Sequence, residues 1–206
     1  MRIIAGEFRG FVIAAPRGSE VRPTSDRVRE AVFNMLRDAV QGVGALDVFA
    51  GSGAMGLEAL SRGASDCLFV DRSAASCQVI RRNVKKLNVE DRCRVCHGDV
   101  EGFLRRPVAP RDRGHYRVVF IDPPYASGLA GRTLCRLAGW PGLGTDALLV
   151  VESSRNDAAL DEGECPCDGM IAVRRRMYGN TAITIVRHTG RRDAADAEEG
   201  DVSRQL

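Results

Sequence analysis

The chain has 206 residues, 44% hydrophobic and 28% charged, so it can form one large globular domain or one domain with a small appendage. The net charge is only +3, and 28 arginines against two lysines are weak evidence for a nucleic-acid partner, because a GC-rich genome gives the same bias. Short apolar runs and a charge close to the N-terminus argue against a membrane-spanning or secreted protein. The seven cysteines lack the spacing of a disulfide framework, which suits a reducing compartment, and we expect a cytoplasmic protein.

The first half of the chain predicts an α/β fold. Residues 1–23 are β-leaning and punctuated by glycine, which predicts a small β-hairpin extension. A helix is predicted over 25–40, because Thr24 or Ser25 can cap it after Pro23. Further along the chain, strands are predicted at 45–49, 67–71, 92–97, 117–122 and 147–152, and helices at 54–62, 74–87, 100–104 and 129–137. This alternation indicates a parallel sheet with helices on both faces.

The C-terminal part has a different pattern. Residues 170–177 and 182–188 are β-rich and flank Tyr178-Gly179-Asn180, so they predict a hairpin rather than another crossover. From residue 189 the chain is polar and is predicted to be disordered. We therefore divide the chain into an N-terminal hairpin extension (1–23), a main domain (24–188) and a polar tail (189–206).

A glycine-rich loop joins the first predicted strand to the following helix. Gly51, Gly53 and Gly56 form G-x-G-x-x-G in the strand–turn–helix context that gives this motif weight. Residues without a Cβ let a ligand lie against backbone N–H groups at the start of a helix. Asp71 ends the second strand, where a carboxylate can accept hydrogen bonds from both hydroxyls of a ribose. The loop and Asp71 predict a site for a nucleotide-like cofactor.

Two further carboxylates bear on the identity of that ligand. Asp47 precedes the glycines, where its charge would repel a pyrophosphate but suit a cationic amino or sulfonium group. Asp99 follows the third strand, where a carboxylate can bind an adenine edge. Both argue against a dinucleotide ligand, although each acid could also simply cap a helix.

Asp122-Pro123-Pro124-Tyr125 follows the fourth strand, at the sheet edge where open α/β folds bind ligands. The prolines stiffen the loop, and the Asp122 carboxylate and Pro123 carbonyl can accept both N–H groups of a base's exocyclic amine. This orients the nitrogen lone pair, and Asp122 can take the proton that leaves. Tyr125 offers a ring on which an extruded base can stack. The alternative is an ordinary turn, which Asp-Pro often opens.

The motif Asp47-x-Phe49-x-Gly51-x-Gly53 followed by this tetrapeptide resembles class I amino-methyltransferases. Residues 1–6, 22–34 and 56–64 narrow the similarity to the bacterial small-subunit ribosomal RNA guanine-N2 methyltransferase family. The resemblance implies a Rossmann-like, seven-stranded, mostly parallel sheet with an antiparallel last strand. It also implies S-adenosylmethionine as the cofactor, bound by the motif residues with Phe49 among them.

The same resemblance implies the substrate, which is guanine N2 of 16S rRNA within a partly assembled small ribosomal subunit. It places Arg22, Thr24 and Arg27 near the substrate or near the methionine end of the cofactor. Without the resemblance, a helix cap and surface charges explain these residues equally well. We expect the protein to act as a monomer.

The N-terminal hairpin is the best candidate for a further RNA contact. Arg9 lies between Phe8 and Phe11, whose exposed rings could stack on bases. No metal is expected, because Cys93-x-x-Cys96-His97 reads as a strand, in which positions three apart face opposite sides, and no second ligand pair has suitable spacing.

Three alternatives stay open. A DNA adenine or cytosine amino-methyltransferase would use the same tetrapeptide, although 206 residues leave little room for a domain that reads the target. A nicotinamide-dependent dehydrogenase would leave the tetrapeptide unexplained. A non-catalytic ribosome assembly factor would use the cofactor fold only as a scaffold.

Overall fold

The computed structural model describes residues 1–16, 26–124, 128–155, 165 and 167–190. Helices and strands alternate through most of this part of the chain. In chain order they are α1 (Asp26–Leu36), β1 (Gly44–Val48), α2 (Ala54–Ser61), β2 (Asp66–Asp71), α3 (Ala74–Lys86), β3 (Cys93–His97), α4 (Val100–Leu104), β4 (Tyr116–Ile121), α5 (Leu129–Ala138), β5 (Leu143–Ser154), β6 (Met170–Tyr178) and β7 (Thr181–His188). Each of these elements was predicted from the sequence, with ends that differ mostly by one or two residues.

The strands form one seven-stranded sheet in the order β3-β2-β1-β4-β5-β7-β6. The pairs β1–β2, β1–β4, β2–β3 and β4–β5 are parallel, whereas β7 runs antiparallel to both β5 and β6. The predicted mostly parallel sheet with an antiparallel last strand is therefore confirmed. Because β1 and β4 are neighbours at its centre, the segments that follow these two strands meet at the same edge of the sheet.

Two elements differ from the sequence prediction at their ends. β5 begins at Leu143, four residues before the predicted start, because its pairing with β4 shifts in register between Leu143 and Leu148. Asp146, with a φ of +59°, lies in this irregular stretch. The predicted helix 25–40 is α-helical only as far as Leu36 and continues as a 3-10 turn, since Arg37 has a φ of +49°.

The core consists of two apolar clusters, one on each face of the sheet. The first contains Phe33 of α1, Leu57 of α2 and Phe120 of β4. The second contains Leu134 of α5 and Trp140, against the other sides of the same strands. Burial of such side chains contributes roughly 1.5–3 kcal/mol each, so both helical layers are fixed against the sheet. Cys93 packs against the first cluster and Cys96 against the second, which confirms that they face opposite sides.

The N-terminal segment is packed onto α2 and α3 through specific hydrogen bonds. Arg2 and Val12 form an antiparallel bridge. The Glu58 carboxylate accepts the N–H groups of Ile4 (2.8 Å) and Ala5 (3.1 Å). Further along the segment, the Ser61 hydroxyl accepts the N–H of residue 8 at 2.9 Å and the Asn83 side chain accepts that of residue 14 at 2.8 Å.

The sequence prediction is wrong for one side chain, and it did not anticipate one covalent link. Phe8 is 7% exposed and joins the first core cluster, so only Phe11, at 45%, offers a ring to solvent. Alternation in so short a segment does not reveal which ring turns inward. The cysteines also include a disulfide, between Cys135 of α5 and Cys167, with a Cα–Cα distance of 5.0 Å. The fold brings these two residues together across a sequence separation of 32, which spacing alone cannot reveal.

Candidate active site

The predicted site residues lie at the carboxyl ends of three neighbouring strands. Val48 of β1 is aligned with Val70 of β2 on one side and with Ile121 of β4 on the other. The glycine loop, Asp71 and the tetrapeptide that begins at Asp122 therefore leave the sheet at one level. The structure brings together the two motifs that the sequence suggested separately.

The glycines of the loop have different structural roles. Gly51 has a φ of +55°, and a Cβ added there would meet only the carbonyl oxygen of Phe49, at 3.9 Å. Gly53 also has a positive φ, of +78°, and begins α2. A Cβ on Gly56 would lie 2.4 Å from the Phe69 ring, so this glycine is required by helix–sheet packing. Gly51 is thus the position where the backbone is open to a ligand.

Asp71 is oriented by the loop that it faces. One of its carboxylate oxygens accepts the Gly51 N–H at 2.7 Å, and the other accepts the Ser73 N–H at 2.7 Å. Its side chain is half-buried. Because each carboxylate oxygen has a further lone pair, Asp71 can still accept hydrogen bonds from a ligand. The two backbone contacts fix the direction in which it does so.

Asp47 lies beneath the loop rather than at an open mouth. It is 3% exposed and accepts the Gly56 N–H at 3.0 Å. Burial raises the pKa of its carboxyl well above the usual range, and the charges of Asp122 and Asp71 raise it further, while the Gly56 hydrogen bond acts in the opposite direction. Asp47 therefore ties the loop to the start of α2, and direct contact between Asp47 and a ligand stays a prediction.

A cleft of about 820 Å³ lies next to the glycine loop and is lined mainly by α4 and α5. Phe49, directly after β1, lines it with a φ of +64° that is uncommon for an aromatic residue and turns the chain out of the strand. Val100 and Leu104 of α4 and Leu129 of α5 supply further apolar surface. Such a cleft is within the size range of small-molecule and cofactor sites.

Asp99 lies at the rim of this cleft. It is exposed and caps α4 by accepting the Gly102 N–H at 2.7 Å. The capping role that the sequence left open is therefore present, and the second oxygen of the carboxylate can accept a further hydrogen bond. Sequence reasoning missed the opposite wall, where Arg132 and Arg136 of α5 line the cleft. Their spacing of four along a helix was the available signal.

The tetrapeptide begins directly after β4. Asp122 and Pro123 are half-buried and Pro124 is exposed, while Tyr125 lies outside the described residues. Asp122 is close enough to Asp47 for its charge to act on that buried carboxyl. A carboxylate and a proline carbonyl therefore follow the strand that neighbours the one ending in the glycine loop.

The predicted RNA contacts are divided between described and undescribed parts of the chain. Arg9 and Arg27 are both exposed and line a second cleft, of about 340 Å³, together with Arg2, which sequence reasoning did not single out. Arg22 and Thr24 lie outside the described residues. The structure thus brings the N-terminal hairpin and the start of α1 together into one groove, which is basic by only one charge because Asp26 and Glu30 line it beside the three arginines. We call it the basic groove.

A buried ion pair holds this groove in place. Arg29 of α1 and Glu58 of α2 are both 0% exposed, with Arg29 Nε 3.6 Å from Glu58 Oε2. Arg29 also donates a hydrogen bond to the Arg2 carbonyl, and Glu58 accepts one from Arg62 at 2.8 Å. The pair connects α1, α2 and the N-terminal segment, so the position of the groove depends on it.

Two further properties concern the described ranges as a whole. None of the helices in these ranges is both long and apolar enough to cross a membrane. The same part of the chain contains no group of three or more His, Cys, Asp or Glu side chains placed to hold a metal ion.

The sheet order, the glycine loop after β1 and Asp-Pro-Pro after β4 define a class I methyltransferase. The chain matches a family model over residues 1–187, and it belongs to that family, which is described as Conserved hypothetical protein 95. That description names no activity, but relatives of the chain are named as methyltransferases, which confirms the expectation of a methyltransferase.

Individual relatives agree with this assignment. The chain is 35% identical over 192 residues to "Putative rRNA methyltransferase YlbH" of Bacillus subtilis, covering 92% of this chain and all of that protein. It is 39% identical over 155 residues to "Ribosomal RNA small subunit methyltransferase D" of Escherichia coli K12, covering 74% of each. The solved structure described as "Putative methyltransferase yhhF from Escherichia coli" is 34% identical, with a TM-score of 0.80, and the match covers 93% of this chain and 99% of that one.

Proposed function

We propose that this protein transfers a methyl group from S-adenosylmethionine to the exocyclic N2 of a guanine in 16S rRNA of the small ribosomal subunit. The observation that carries this proposal is the convergence of the glycine loop and the Asp122-Pro123-Pro124 segment at one sheet edge. A donor held by the loop and an amine held by the tetrapeptide would meet there.

The residues around the large cleft fit S-adenosylmethionine. Asp71, already oriented by two backbone amides, would accept hydrogen bonds from the ribose hydroxyls. Phe49 and Leu104 would pack against the adenine ring, and Asp99 would accept a hydrogen bond from the adenine amino group. The open space above Gly51 leaves room for the ligand against the backbone. When bound, this cofactor supplies an electrophilic methyl group on a sulfonium.

The chain's own contribution to the reaction is to hold the acceptor. The Asp122 carboxylate and the Pro123 carbonyl would each accept one N–H of the guanine amino group, which turns the nitrogen lone pair towards the methyl donor. Asp122 would then take the proton released from that nitrogen. Tyr125 would stack on the base once it has left its helix, a role that rests on the sequence alone.

The substrate assignment is supported by relatives and by the basic groove. The two sequence relatives carry names that specify rRNA methyltransferase activity, and the name of one specifies the small subunit. Arg2, Arg9 and Arg27 would contact phosphates of a folded RNA. The choice of guanine N2, and of a partly assembled subunit as substrate, rests on the sequence resemblance.

Methyl-labelled S-adenosylmethionine tests the proposal directly. The protein is incubated with small subunits lacking this modification, with naked 16S rRNA or with duplex DNA, and labelled nucleosides are identified by mass spectrometry. We expect N2-methylguanosine from the ribosomal substrates. Label only in DNA, or on another atom of the RNA, would contradict the substrate assignment, and absence of label everywhere would favour a non-catalytic assembly factor.

The variant Asp122→Ala tests the catalytic assignment. It should abolish methyl transfer because both the acceptor of the amine and the acceptor of its proton are lost. Binding of S-adenosylhomocysteine, measured by calorimetry, should persist because Asp71 and Gly51 are unchanged. An Asp122→Ala protein that keeps wild-type activity would show that the tetrapeptide is not the catalytic centre.

A further inference from the structure

We propose that Cys135 and Cys167 are a redox-active pair whose disulfide strengthens binding in the large cleft and whose reduction weakens it. The inference rests on the proposed function in one respect, because the ligand used to measure binding is the product form of the proposed cofactor. It concerns two residues that have no part in the proposed methyl transfer.

The disulfide connects a wall of the cleft to another part of the fold. Cys135 is exposed on α5 and lines the cleft, between Arg132 and Arg136 on the same helix. Cys167 is 7% exposed, belongs to the second core cluster and lies three residues before β6. The bond, with a Cα–Cα distance of 5.0 Å, therefore joins the cleft wall to the chain that enters the edge strand of the sheet.

Four of the five remaining cysteines are poorly suited to exchange with this pair. Cys67 and Cys77 are buried. Burial raises the pKa of both thiols, raises that of Cys93 to about 12, and also raises that of Cys165, which lies two residues from Cys167. Because the thiolate is the attacking species, these four thiols react slowly at neutral pH. The fifth, Cys96, is half-buried on β3 with its sulfur 3.4 Å from Arg106 Nη1, outside both α5 and the segment before β6.

Access decides which sulfur reacts first. In the reducing direction, an external thiolate attacks the Sγ of Cys135, the exposed residue of the pair, and releases Cys167 as a thiolate. A second external thiolate then attacks the outer sulfur of this mixed disulfide, which frees Cys135 and yields the external disulfide. The net reaction converts one protein disulfide and two external thiols into two protein thiols and one external disulfide. Oxidation by an external disulfide is the reverse, so electrons and protons balance.

The position of Cys135 couples this chemistry to the cleft. With the disulfide formed, one point of α5 is held in place before a ligand arrives, so less ordering remains to be done on binding. With the disulfide reduced, that restraint is lost, and any group attached to Cys135 projects into the space of the ligand. Because coupling between two sites is reciprocal, a bound ligand must in turn favour the disulfide.

The first experiment measures S-adenosylhomocysteine binding by calorimetry on the oxidised protein and on the protein reduced with dithiothreitol. We expect roughly fivefold or greater loss of affinity on reduction, at the lower end of ordinary couplings between sites. Cys135→Ser and Cys167→Ser should bind like the reduced protein under both conditions. Cys165→Ser is the matched control and should respond to reduction like the wild type.

The second experiment measures the accessibility of Cys135. In the reduced protein, iodoacetamide should alkylate Cys135 before the other thiols, as identified by peptide mass spectrometry, and saturating S-adenosylhomocysteine should slow that modification several-fold. If the oxidised, reduced and Cys135→Ser proteins bind with equal affinity and the ligand gives no protection, the disulfide is only a structural link and the proposal is wrong. If neither form binds S-adenosylhomocysteine, the cofactor assignment fails instead, so the two failures are distinguishable.

Discussion

Replacing Glu58 with glutamine changes few atoms, yet it removes the buried counter-charge of Arg29 and leaves only Asp26, which lies 3.1 Å from Arg29 with a side chain 55% exposed. The Glu58 carboxylate accepts hydrogen bonds from the backbone of residues 4 and 5 and from Arg62, and it faces Arg29 Nε at 3.6 Å. A glutamine has one acceptor oxygen instead of two. Its NH₂ group must therefore face either the N–H of residue 4 or the N–H of residue 5 together with the Arg62 side chain. Both arrangements set donors against donors in a site without solvent.

The magnitude follows from the burial of both partners. Breaking a fully buried ion pair by removing one charge costs about 3–5 kcal/mol, and an unsatisfied buried amide alone costs about 1–3 kcal/mol. The two contributions overlap and Asp26 still faces Arg29, so we expect Glu58→Gln to lower the free energy of unfolding by about 3 kcal/mol, the lower end of that range. That is a large fraction of the roughly 5–15 kcal/mol typical of folded domains.

Urea unfolding followed by circular dichroism measures this loss, and limited proteolysis reports whether the N-terminal segment detaches first. Glu7→Gln is the matched control, since Glu7 belongs to the same segment but pairs with Arg92 while 63% exposed. A surface pair of that kind contributes less than about 1 kcal/mol. If Glu58→Gln costs no more than Glu7→Gln, the interior pair does not hold the N-terminal segment.

Three further changes test the cofactor loop and the basic groove. Gly51→Ala, at a φ of +55°, should cost roughly 1–2 kcal/mol of stability and lower S-adenosylhomocysteine affinity in calorimetry, and unchanged affinity would mean that no ligand lies against this loop. Burial raises the folded-state pKa of Asp47, so the stability that its carboxyl contributes at low pH is lost from the wild type as pH rises above about 4. Asp47→Asn has no such group, so it should become more stable relative to the wild type over the same rise in pH. Urea unfolding across that pH range would show a constant difference if Asp47 were unperturbed. Arg9→Ala and Arg27→Ala should each weaken RNA binding and lower the slope of log affinity against log salt concentration by about 1. Lys85→Ala on α3 is the control and should do neither. Equal losses in all three variants would refute a contact specific to the groove.

The strands of the sheet could be predicted from the sequence because the apolar pattern is strong in buried parallel strands. All seven strands were predicted from this pattern, and the antiparallel arrangement of the last one was implied by the family resemblance. The early start of β5 was missed because Gly144 and Asp146 read as loop residues. Only the pairing with β4, a tertiary interaction, extends the strand that far.

Side-chain burial and long-range pairing were less accessible to sequence reasoning. Phe8 and Phe11 belong to one short segment, and the packing of that segment on α2 decides that Phe8 turns inward. Cys135 and Cys167 carry no local sign that they meet. The placement of Arg9 beside Arg27 likewise depends on how the N-terminal segment lies on α1, which only the assembled fold determines.

The strand order also constrains how the site can form as the chain is made. β1 has β2 as one neighbour soon after it is synthesised, but its other neighbour, β4, begins only at Tyr116. Until then, one edge of an almost entirely apolar strand lacks its partner, a condition that slows folding and exposes the chain to aggregation. The glycine loop at the end of β1 therefore reaches its final setting only after Ile121 has been added. Ligand binding at this loop therefore requires that β1 and β4 have already paired.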